Sequence, residues 1–492
     1  MSNHDALTAL RRFGLGGRPG ELKKIEGDPR GYVLQSLSRP AAANITDPDL
    51  DSSSETFRSA QVAQQQQKIA RESKREAAIE TAQRRVDVVS RTQNLPTAPP
   101  PGQVVDMQMA EMQSAKSPPL LKAARLRTEA YLDEAAVRFE RQVTTETALL
   151  ERLVNFWTNH FCVSALKGPT RGMVGAYERE AIRPFILGSF GDMLKAVEQH
   201  PAMLIYLDNQ LSFGPNSAAG KNQRKGLNEN LAREILELHT LGVDGGYSQD
   251  DVTNLARIIT GWTVGNVNQM GTDAGKFFYH APRHEPGTWS VAGKPYADQG
   301  RTTGEAVLGD LARHPATAKH IARKLAQHFI GDGVSPALTG KLEKTFRDTD
   351  GDLAAVTKAL ITTDEAWTTP ARKMVPPSDF VVSLARGVQA KAKTPELLRL
   401  INQLGQPLWS VPSPKGWPDD DQAWAGPSAL RERLRIAEMV ARQVDKAADP
   451  RAVADDIFGA ALSEFSRQAI ARAETREQGF ELLIMTPEFQ RR

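Results

Sequence analysis

The chain has 492 residues, more than one hydrophobic core usually holds, so we expect two or more cooperating cores or a core with appended segments. Lys and Arg number 62 against 59 Asp and Glu, a net charge of +3, and this near balance argues against nucleic-acid binding through phosphate contacts. The single cysteine, Cys162, excludes an internal disulfide and a thiolate metal cluster.

The N-terminal segment lacks the continuous apolar run of a secretory signal, because Arg11 and Arg12 interrupt its short apolar patch. We therefore expect a cytoplasmic protein, with export by another route left open. No stretch approaches the roughly 20 consecutive apolar residues that a membrane-spanning helix requires.

The first part of the chain is predicted to form a cap and an insertion. Residues 1–50 indicate short helices with a Gly- and Pro-rich turn, which make an N-terminal helical cap. Residues 51–118 indicate an insertion that begins with a long exposed helix over 52–92, because this stretch is rich in helix formers but has a weak apolar stripe. The Pro-rich run 95–119 favours extended conformations, as in a linker. The exposed arm is the predicted contact surface for a protein partner.

The rest of the chain indicates helices around one small hairpin. Apolar residues recur with a period near 3.6 in 119–370, the predicted helical core. The aromatic, Gly- and Pro-punctuated stretch 277–296 predicts a small β-hairpin, and 371–492 predicts a C-terminal helical region packed on the core. The fold class is therefore all-α: a multi-helix globular array with one small β-hairpin and a long exposed helical arm. The predicted helices are 120–142, 146–162, 172–187, 201–208, 229–241, 249–261, 315–331, 336–347, 352–362, 376–390, 395–403, 428–445 and 464–473.

The helix at 228–241 places one carboxylate among apolar side chains. At about 100° per residue, Glu234 projects into an apolar arc, whereas Arg233 lies four residues from both Glu229 and Glu237, a spacing typical of surface pairs. A buried carboxylate must be paired, hydrogen-bonded, metal-bound or protonated. Two explanations for Glu234 stay open: a catalytic acid or base, or the partner of an arginine on another helix. The arc consists of Leu227, Leu231, Ile235, Leu238 and Leu241.

Two histidines are candidates to act beside Glu234. His239 lies in the last turn of the same helix, where the helix dipole alone favours a histidine, and the alternative is a ligand or proton carrier. His160 lies within the apolar arc of the helix at 146–162, where a satisfied core histidine is the alternative to a catalytic one.

His200 and His314 each precede Pro-Ala. Proline at the first helical position makes the preceding residue an N-cap, so both histidines are predicted to cap helices. Ser248 and Asp251 have the spacing of a capping box.

A divalent metal is a possible cofactor, and Asp208 and His284 are its candidate ligands. Asp208 precedes Asn209 at a predicted helix end, where an Asx-turn is the alternative. His284 is predicted at the hairpin tip, four residues from His280, where loop residues can reach over a helical pocket. No HExxH, GxSxG, P-loop or dinucleotide-binding motif is present.

Four residues are candidates for binding substrate. Arg179 and Arg183 lie one helical turn apart and could hold an anionic group, with ion pairing in the surface or core as the alternative. Asn230 and Trp262 are the other two candidates.

These motifs resemble a large bacterial family known as domain of unknown function 1800, over most of the chain except 52–119. The resemblance implies a helical architecture and a bacterial source, and carries no established activity, cofactor or catalytic residue. The resembling stretches are 12–16 (RFGLG), 156–161 (FWTNHF), 178–184 (EREAIRP), 200–204 (HPAML), 206–209 (YLDN), 228–247 (NENLAREILELHTLGVDGGY), 256–263 (ARIITGWT), 284–287 (HEPG) and 313–318 (RHPATA).

Two functions stay open. The leading hypothesis is a hydrolytic enzyme with a polar site between helices, in which Glu234, tuned by its apolar setting, is the general acid or base and His160 and His239 shuttle protons or hold a metal. The alternative is a non-catalytic helical assembly or partner-binding protein that uses the exposed arm and an aromatic loop at 407–427. The anchors of that loop would be Trp409, Trp417 and Trp424.

Overall fold

The computed structural model describes residues 3–91, 119–223, 226–389 and 393–492. Helices dominate these residues, and the all-α fold class is confirmed. The helices are α1 (Asn3–Arg11), α2 (Glu21–Ile25), α3 (Pro29–Gln35), α4 (Ser53–Arg91), α5 (Pro119–Thr144), α6 (Ala148–His160), α7 (Val174–Tyr177), α8 (Phe190–Glu198), α9 (Pro201–Tyr206), α10 (Ala218–Gln223), α11 (Asn230–Glu234), α12 (Gln249–Ile258), α13 (Val267–Met270), α14 (Arg301–Arg313), α15 (Pro315–Phe329), α16 (Pro336–Asp348), α17 (Leu353–Ile361), α18 (Glu365–Thr368), α19 (Pro377–Gly387), α20 (Thr394–Gln403), α21 (Pro427–Ala441), α22 (Pro450–Phe458), α23 (Glu464–Ala471), α24 (Arg476–Met485) and α25 (Pro487–Gln490). Short 3₁₀ turns lie at Ser36–Ser38, Pro40–Ala43, Thr170–Gly172, Arg183–Phe185, Asn209–Leu211, Gly271–Asp273, Ala281–Arg283 and Gly459–Ala461.

Two antiparallel strand pairs lie between α12 and α14. The first joins β1 (Trp262–Val264) to β2 (Phe277–Tyr279), and the second joins β3 (Trp289–Val291) to β4 (Lys294–Tyr296). Ala292 and Gly293, between β3 and β4, have φ of 49° and 77°, as a two-residue hairpin turn requires. A small hairpin is therefore present within 277–296, at β3 and β4. Its turn is Ala292–Gly293 and β2 pairs with β1 instead, so the prediction that His284 lies at the hairpin tip is wrong. The sequence did not predict the β1–β2 pair, because β1 has only three residues and directly follows the end of a predicted helix.

The first part of α4 packs on the rest of the protein. The described side chains farther along this helix project away from the protein. Ala60 and Ala63 are buried against Ala123 of α5. From residue 68 to residue 84 every side chain is exposed, including Ile69 at 63 %. The predicted exposed arm is confirmed here. The predicted Pro-rich linker lies outside the described residues, apart from the proline that begins α5.

One continuous apolar cluster runs through the described chain from Ala6 to Phe489. The N-terminal helices join it to the C-terminal region: Arg11 Nη2 donates to the Phe489 carbonyl (2.6 Å) and Arg12 Nη1 to the Ala366 carbonyl (2.7 Å). The division into 1–50, 51–118, 119–370 and 371–492 stays a prediction. No helix in the described ranges is both long and apolar enough to cross a membrane.

Three features depart from the sequence predictions. The predicted helices 172–187 and 229–241 are not uniform, since α7 continues as a π-helical turn at Glu178–Ile182 and α11 as one at Ile235–His239. Helices α8, α22 and α24 lie where none was predicted. Finally, the aromatic loop does not present its tryptophans as anchors: Trp409 and Trp424 are buried and Trp417 is half-buried.

Candidate functional site

A cleft of about 650 Å³ opens between four segments that are far apart in sequence. The end of α6 and the loop after the Ile235–His239 π turn form two of its walls. Helix α15 and the loop 415–420 form the others. This volume falls within the range of small-molecule sites, roughly 300–1,000 Å³. The cleft is therefore the candidate functional site.

Helix α15 supplies the polar wall of the cleft. His314 caps it, with Nδ1 accepting a hydrogen bond from the Ala316 N–H (3.1 Å), and Pro315 begins it. Ile321 and Leu325 are buried in the core, so the opposite face of this helix lines the cleft. The residues on that face, spaced by three and four, are Ala316, Lys319, His320, Arg323, Lys324 and Gln327.

His160 and Lys324 form a hydrogen-bonded pair in the cleft wall. Lys324 Nζ lies 2.9 Å from His160 Nδ1, and His160 Nε2 lies 3.2 Å from the His239 carbonyl. Because a carbonyl only accepts, the proton of the neutral ring is on Nε2, and Nδ1 accepts from the lysine. The backbone of the π turn thus fixes the tautomer of His160.

The two basic groups of this pair have lowered pKa values. Burial lowers the pKa of Lys324 to about 8, against the opposing charge of Asp419. Burial, and next the charge of Lys324, lower the pKa of His160 well below its usual range. At neutral pH the shared proton is therefore on the lysine, and a rise of about one pH unit brings about half of the molecules to the free amine.

His320 is a second neutral histidine in the cleft wall. Its Nε2 lies 3.2 Å from the Leu238 carbonyl, and burial, followed by the charge of Lys324, lowers its pKa to about 4. Gly242 packs against the other side of the ring: a Cβ there would lie 2.8 Å from His320 Nδ1. With a φ of +85°, Gly242 also needs the left-handed conformation that glycine adopts freely. Glycine thus lets the loop close on the histidine.

His239 lies beneath the cleft and does not line it. Its Nδ1 is 2.7 Å from Glu198 Oε1, and both side chains are buried. His239 Nε2 and Glu198 Oε2 have no hydrogen-bond partner among the described residues. The rings of His160 and His239 have centroids 6.3 Å apart. The two predicted histidines are thus neighbours, joined through the His239 backbone.

Glu234 is half-buried and lies outside the lining of the cleft. Its carboxylate has no ion pair or hydrogen bond within the described chain, and burial raises its pKa. The neighbouring Arg233 pairs with Glu229 (3.1 Å), as the spacing predicts. The structure therefore does not pair Glu234 with an arginine, and it does not bring its carboxylate into the cleft.

Arg179 and Arg183 both have carboxylate partners. Arg183 is 1 % exposed and contacts Glu151 (2.7 Å) and Glu178 (2.9 Å). Arg179 contacts Glu134 at 2.9 Å. These are the ion pairs that the sequence left open as the alternative to substrate binding, and neither arginine lines the cleft.

Asn230 and Trp262 lie apart from the cleft. Asn230 is exposed in the first turn of α11, where its N–H donates to the Asn228 side chain (2.9 Å). Trp262 is fully buried in β1, with its ring against Gly304. Their predicted substrate-binding roles remain predictions that this geometry does not support.

The predicted metal ligands are also separate from the cleft. Asp208 Oδ2 is 2.6 Å from Lys167 Nζ, and His284 Nε2 is 3.0 Å from Asp298 Oδ1. Across the described ranges, no group of three or more His, Cys, Asp or Glu side chains is arranged to hold a metal ion.

Charged groups of both signs complete the cleft. Lys319, Arg323 and Lys415 line it and have no ion-pair or hydrogen-bond partner among the described residues. Four carboxylates also line it; of these, Asp419 is held 2.8 Å from both Lys373 Nζ and His328 Nδ1. These contacts lower its pKa against the effect of burial. The other three are Glu237, Asp244 and Asp420.

The sequence prediction found His160 and missed His320, Lys324 and Asp419. A projection of 315–329 at 100° per residue separates a polar stripe from an apolar one, so the α15 residues were detectable. Asp419 had no such signal, because it lies in an irregular loop.

Residues 8–491 match the model of a family described as "Protein of unknown function (DUF1800)". The match covers nearly the whole chain, so the resemblance drawn from the motifs is confirmed. Neither the curated proteins nor the solved structures contain a match to the chain.

Proposed function

We propose that this chain, which belongs to the protein family of unknown function DUF1800, is an enzyme that hydrolyses a small, charged acyl compound in the cleft. The observation that carries the proposal is the Lys324–His160 pair, in which an amine with a pKa near 8 lies in a cleft wall, 2.9 Å from a neutral imidazole. Lysines whose pKa is lowered by burial serve as general bases.

In this mechanism the free amine of Lys324 accepts a proton from the water whose oxygen attacks the acyl carbon. The bond to the leaving group breaks, and the Lys324 ammonium returns the proton to the leaving atom. His160 accepts a hydrogen bond from Lys324 and orients the amine, while its own Nε2 proton is held by the His239 carbonyl. His239 thus takes a positioning role, and Glu234 takes none.

The cleft also supports a substrate that carries charge. Lys319, Arg323 and Lys415 are exposed cations that have no partner in the described part of the chain, and Asp244 and Asp420 lie in the same lining. A compound with a carboxylate or an ammonium group would find an opposite charge there.

The alternative of a non-catalytic partner-binding protein loses one of its two supports. Its aromatic anchors, Trp409 and Trp424, are buried. The exposed outer part of α4 remains as its support.

The proposal is tested with three chromogenic anilides that share one leaving group: neutral acetyl-alanine p-nitroanilide, alanine p-nitroanilide with its free amine, and anionic succinyl-alanine p-nitroanilide. We expect a charged member to be hydrolysed faster than the neutral one, with a rate that rises through about pH 8. Lys324→Met should lower kcat by about 100-fold or more, as expected for loss of a general base. Lys358→Met, which changes an exposed lysine on α17, is the matched control and should keep the wild-type rate.

Two results would overturn the proposal. One is the absence of hydrolysis of all three compounds by folded protein. The other is a Lys324→Met variant with the rate and pH profile of the wild type.

A further inference from the structure

A second cavity, of about 340 Å³, lies where the base of α4 meets the start of the β region. Phe57 and Gln61 of α4 form one wall, Arg127 of α5 a second, and Thr263 of β1 a third. It shares no lining residue with the cleft. Its volume is at the lower end of the range for small-molecule sites.

The lining of this cavity contains two arginines and no carboxylate. Arg127 is half-buried, and no ion pair or hydrogen bond engages its guanidinium within the described chain. Arg283 donates to the Gln210 carbonyl (3.0 Å) and stacks on Phe213 (4.5 Å). Burial lowers the pKa of both arginines, with no acid to oppose it. A partly desolvated guanidinium without an anion is costly, so these two groups suit an anionic ligand.

Two buried atoms in the same lining also have no hydrogen-bond partner among the described residues: Gln210 Oε1 and His280 Nδ1. Buried polar atoms in proteins are nearly always hydrogen-bonded to protein, water or ligand. The Gln210 oxygen accepts a hydrogen bond, and a neutral imidazole nitrogen can accept or donate one. Burial lowers the pKa of His280, which favours the neutral ring. Hydroxyl groups of a ligand would satisfy both atoms.

Carboxamides and one aromatic ring also line the cavity. Gln61 accepts a hydrogen bond from the Val267 N–H (3.0 Å), which leaves its amide NH₂ free to donate, and Gln64 has no partner in the described chain. Carboxamides donate and accept at once, as recognition of hydroxyl groups requires. Phe57 is half-buried and offers an apolar ring face.

We propose that this cavity binds a sugar acid, a polyhydroxylated ring with one carboxylate, of the size of a hexuronate. The carboxylate pairs with Arg127 and Arg283, because a guanidinium matches a carboxylate with two parallel hydrogen bonds. The hydroxyl groups bond to Gln61, Gln210 and His280. The apolar face of the ring lies on Phe57. The base of the arm is thus part of a ligand site.

The test is calorimetric titration of the full chain with D-glucuronate, D-glucose and acetate. We expect glucuronate to bind, with glucose and acetate each at least tenfold weaker, because each lacks one half of the recognised chemistry. Arg127→Met should weaken glucuronate binding at least tenfold. Arg125→Met removes an exposed arginine of the same helix, paired with Glu129 (2.7 Å), and should bind glucuronate as the wild type does.

Thermal melting of Arg127→Met accompanies the titration. Since Arg127 has no partner to lose within the described chain, its variant should melt no lower than the wild type. If that variant does not fold, Gln210→Leu takes its place and should also weaken binding tenfold. The proposal is overturned if glucuronate does not bind, if acetate or glucose binds as tightly, or if a folded Arg127→Met or Gln210→Leu variant keeps the wild-type affinity.

Discussion

Glu234 carries a negative charge in a half-buried setting that gives it neither an ion pair nor a hydrogen bond within the described chain. Burial raises its pKa, so the folded protein holds this proton to a higher pH than the unfolded chain does. The ionised form therefore costs folding free energy above the raised pKa, and the cost vanishes below the unfolded value of about 4.3. Glu229, five residues earlier, is the opposite case, since hydrogen bonds, first from Thr253, lower its pKa.

Glu234→Gln is expected to melt at the same or a higher temperature than the wild type at pH 7, with the difference closing toward pH 4. Glu229→Gln should melt lower at pH 7, because it loses a stabilised carboxylate, and its deficit should also close at acid pH. Differential scanning calorimetry at both pH values measures the two signs. A large drop in melting temperature for Glu234→Gln would mean that the carboxylate has a structural partner after all.

For single residues, the sequence predicts whether a side chain faces the interior better than it predicts which residue that side chain contacts. Helical projection turned Glu234 and His160 toward the interior; in the structure Glu234 is half-buried and His160 is buried. It could not assign their partners, because His160 meets Lys324 at a separation of 164 residues. The partner of His239 is Glu198, which lies on a helix that was not predicted.

Among the elements, α9 and α15 begin with the same sequence, His-Pro-Ala, and the predicted caps are confirmed for both. His200 Nδ1 accepts from the Ala202 N–H and His314 Nδ1 from the Ala316 N–H, each at 3.1 Å. His200 does more, since its Nε2 lies 2.9 Å from Glu180 Oε2. Although burial alone would raise the pKa of Glu180, contacts with His200 and Ser53 lower it to about 2.

His314→Ala should therefore lower the free energy of unfolding by about 1 kcal/mol, the usual value of a cap. His200→Ala should cost about 2–3 kcal/mol, because it also removes a hydrogen bond to a charged group. Asparagine keeps the cap function, so His314→Asn should restore most of the loss and His200→Asn only part of it. Urea denaturation of the four variants measures this, and equal losses for both alanine variants would contradict it.

The helix predictions are wrong in detail where the number of residues per helical turn changes. A 3.6-residue pattern predicted the helices at 172–187 and 229–241, but each contains a π turn, which shifts the facing of every later residue. The shift carries the His239 carbonyl to His160. A uniform helix therefore could not predict this contact.

For the whole molecule, the reactivity of Cys162 can be used to follow global unfolding. It is the single cysteine of the chain, is 3 % exposed, and its thiol donates to the Pro414 carbonyl (3.1 Å). Burial raises its pKa to about 12, which removes the reactive thiolate at neutral pH.

Iodoacetamide should therefore modify the native protein at least about 100-fold more slowly than the unfolded chain in concentrated urea. The rate should rise with urea along the global unfolding curve followed by circular dichroism. The unfolded chain is the control for intrinsic reactivity. Rapid modification without urea would mean that the loop after residue 407 opens independently.

The cleft as a whole could not be predicted, because four segments spanning residues 156–420 build it. Periodicity describes each segment alone and contains no information about which faces meet. The all-α class and the exposed arm needed only local patterns, and both are confirmed.

The contact of Arg11 with the C-terminal region can form only after nearly the whole chain has been synthesised. Its guanidinium bonds to the carbonyl of Phe489, 478 residues later. At about 5–20 residues per second, a ribosome needs roughly half a minute to a minute and a half to make the intervening chain. Throughout that time α1 can pack on α2 and α3 but lacks the C-terminal part of its packing surface. Apolar side chains of the nascent α1 therefore remain exposed, so a chaperone that binds such helices should associate with the nascent chain and leave only after its release.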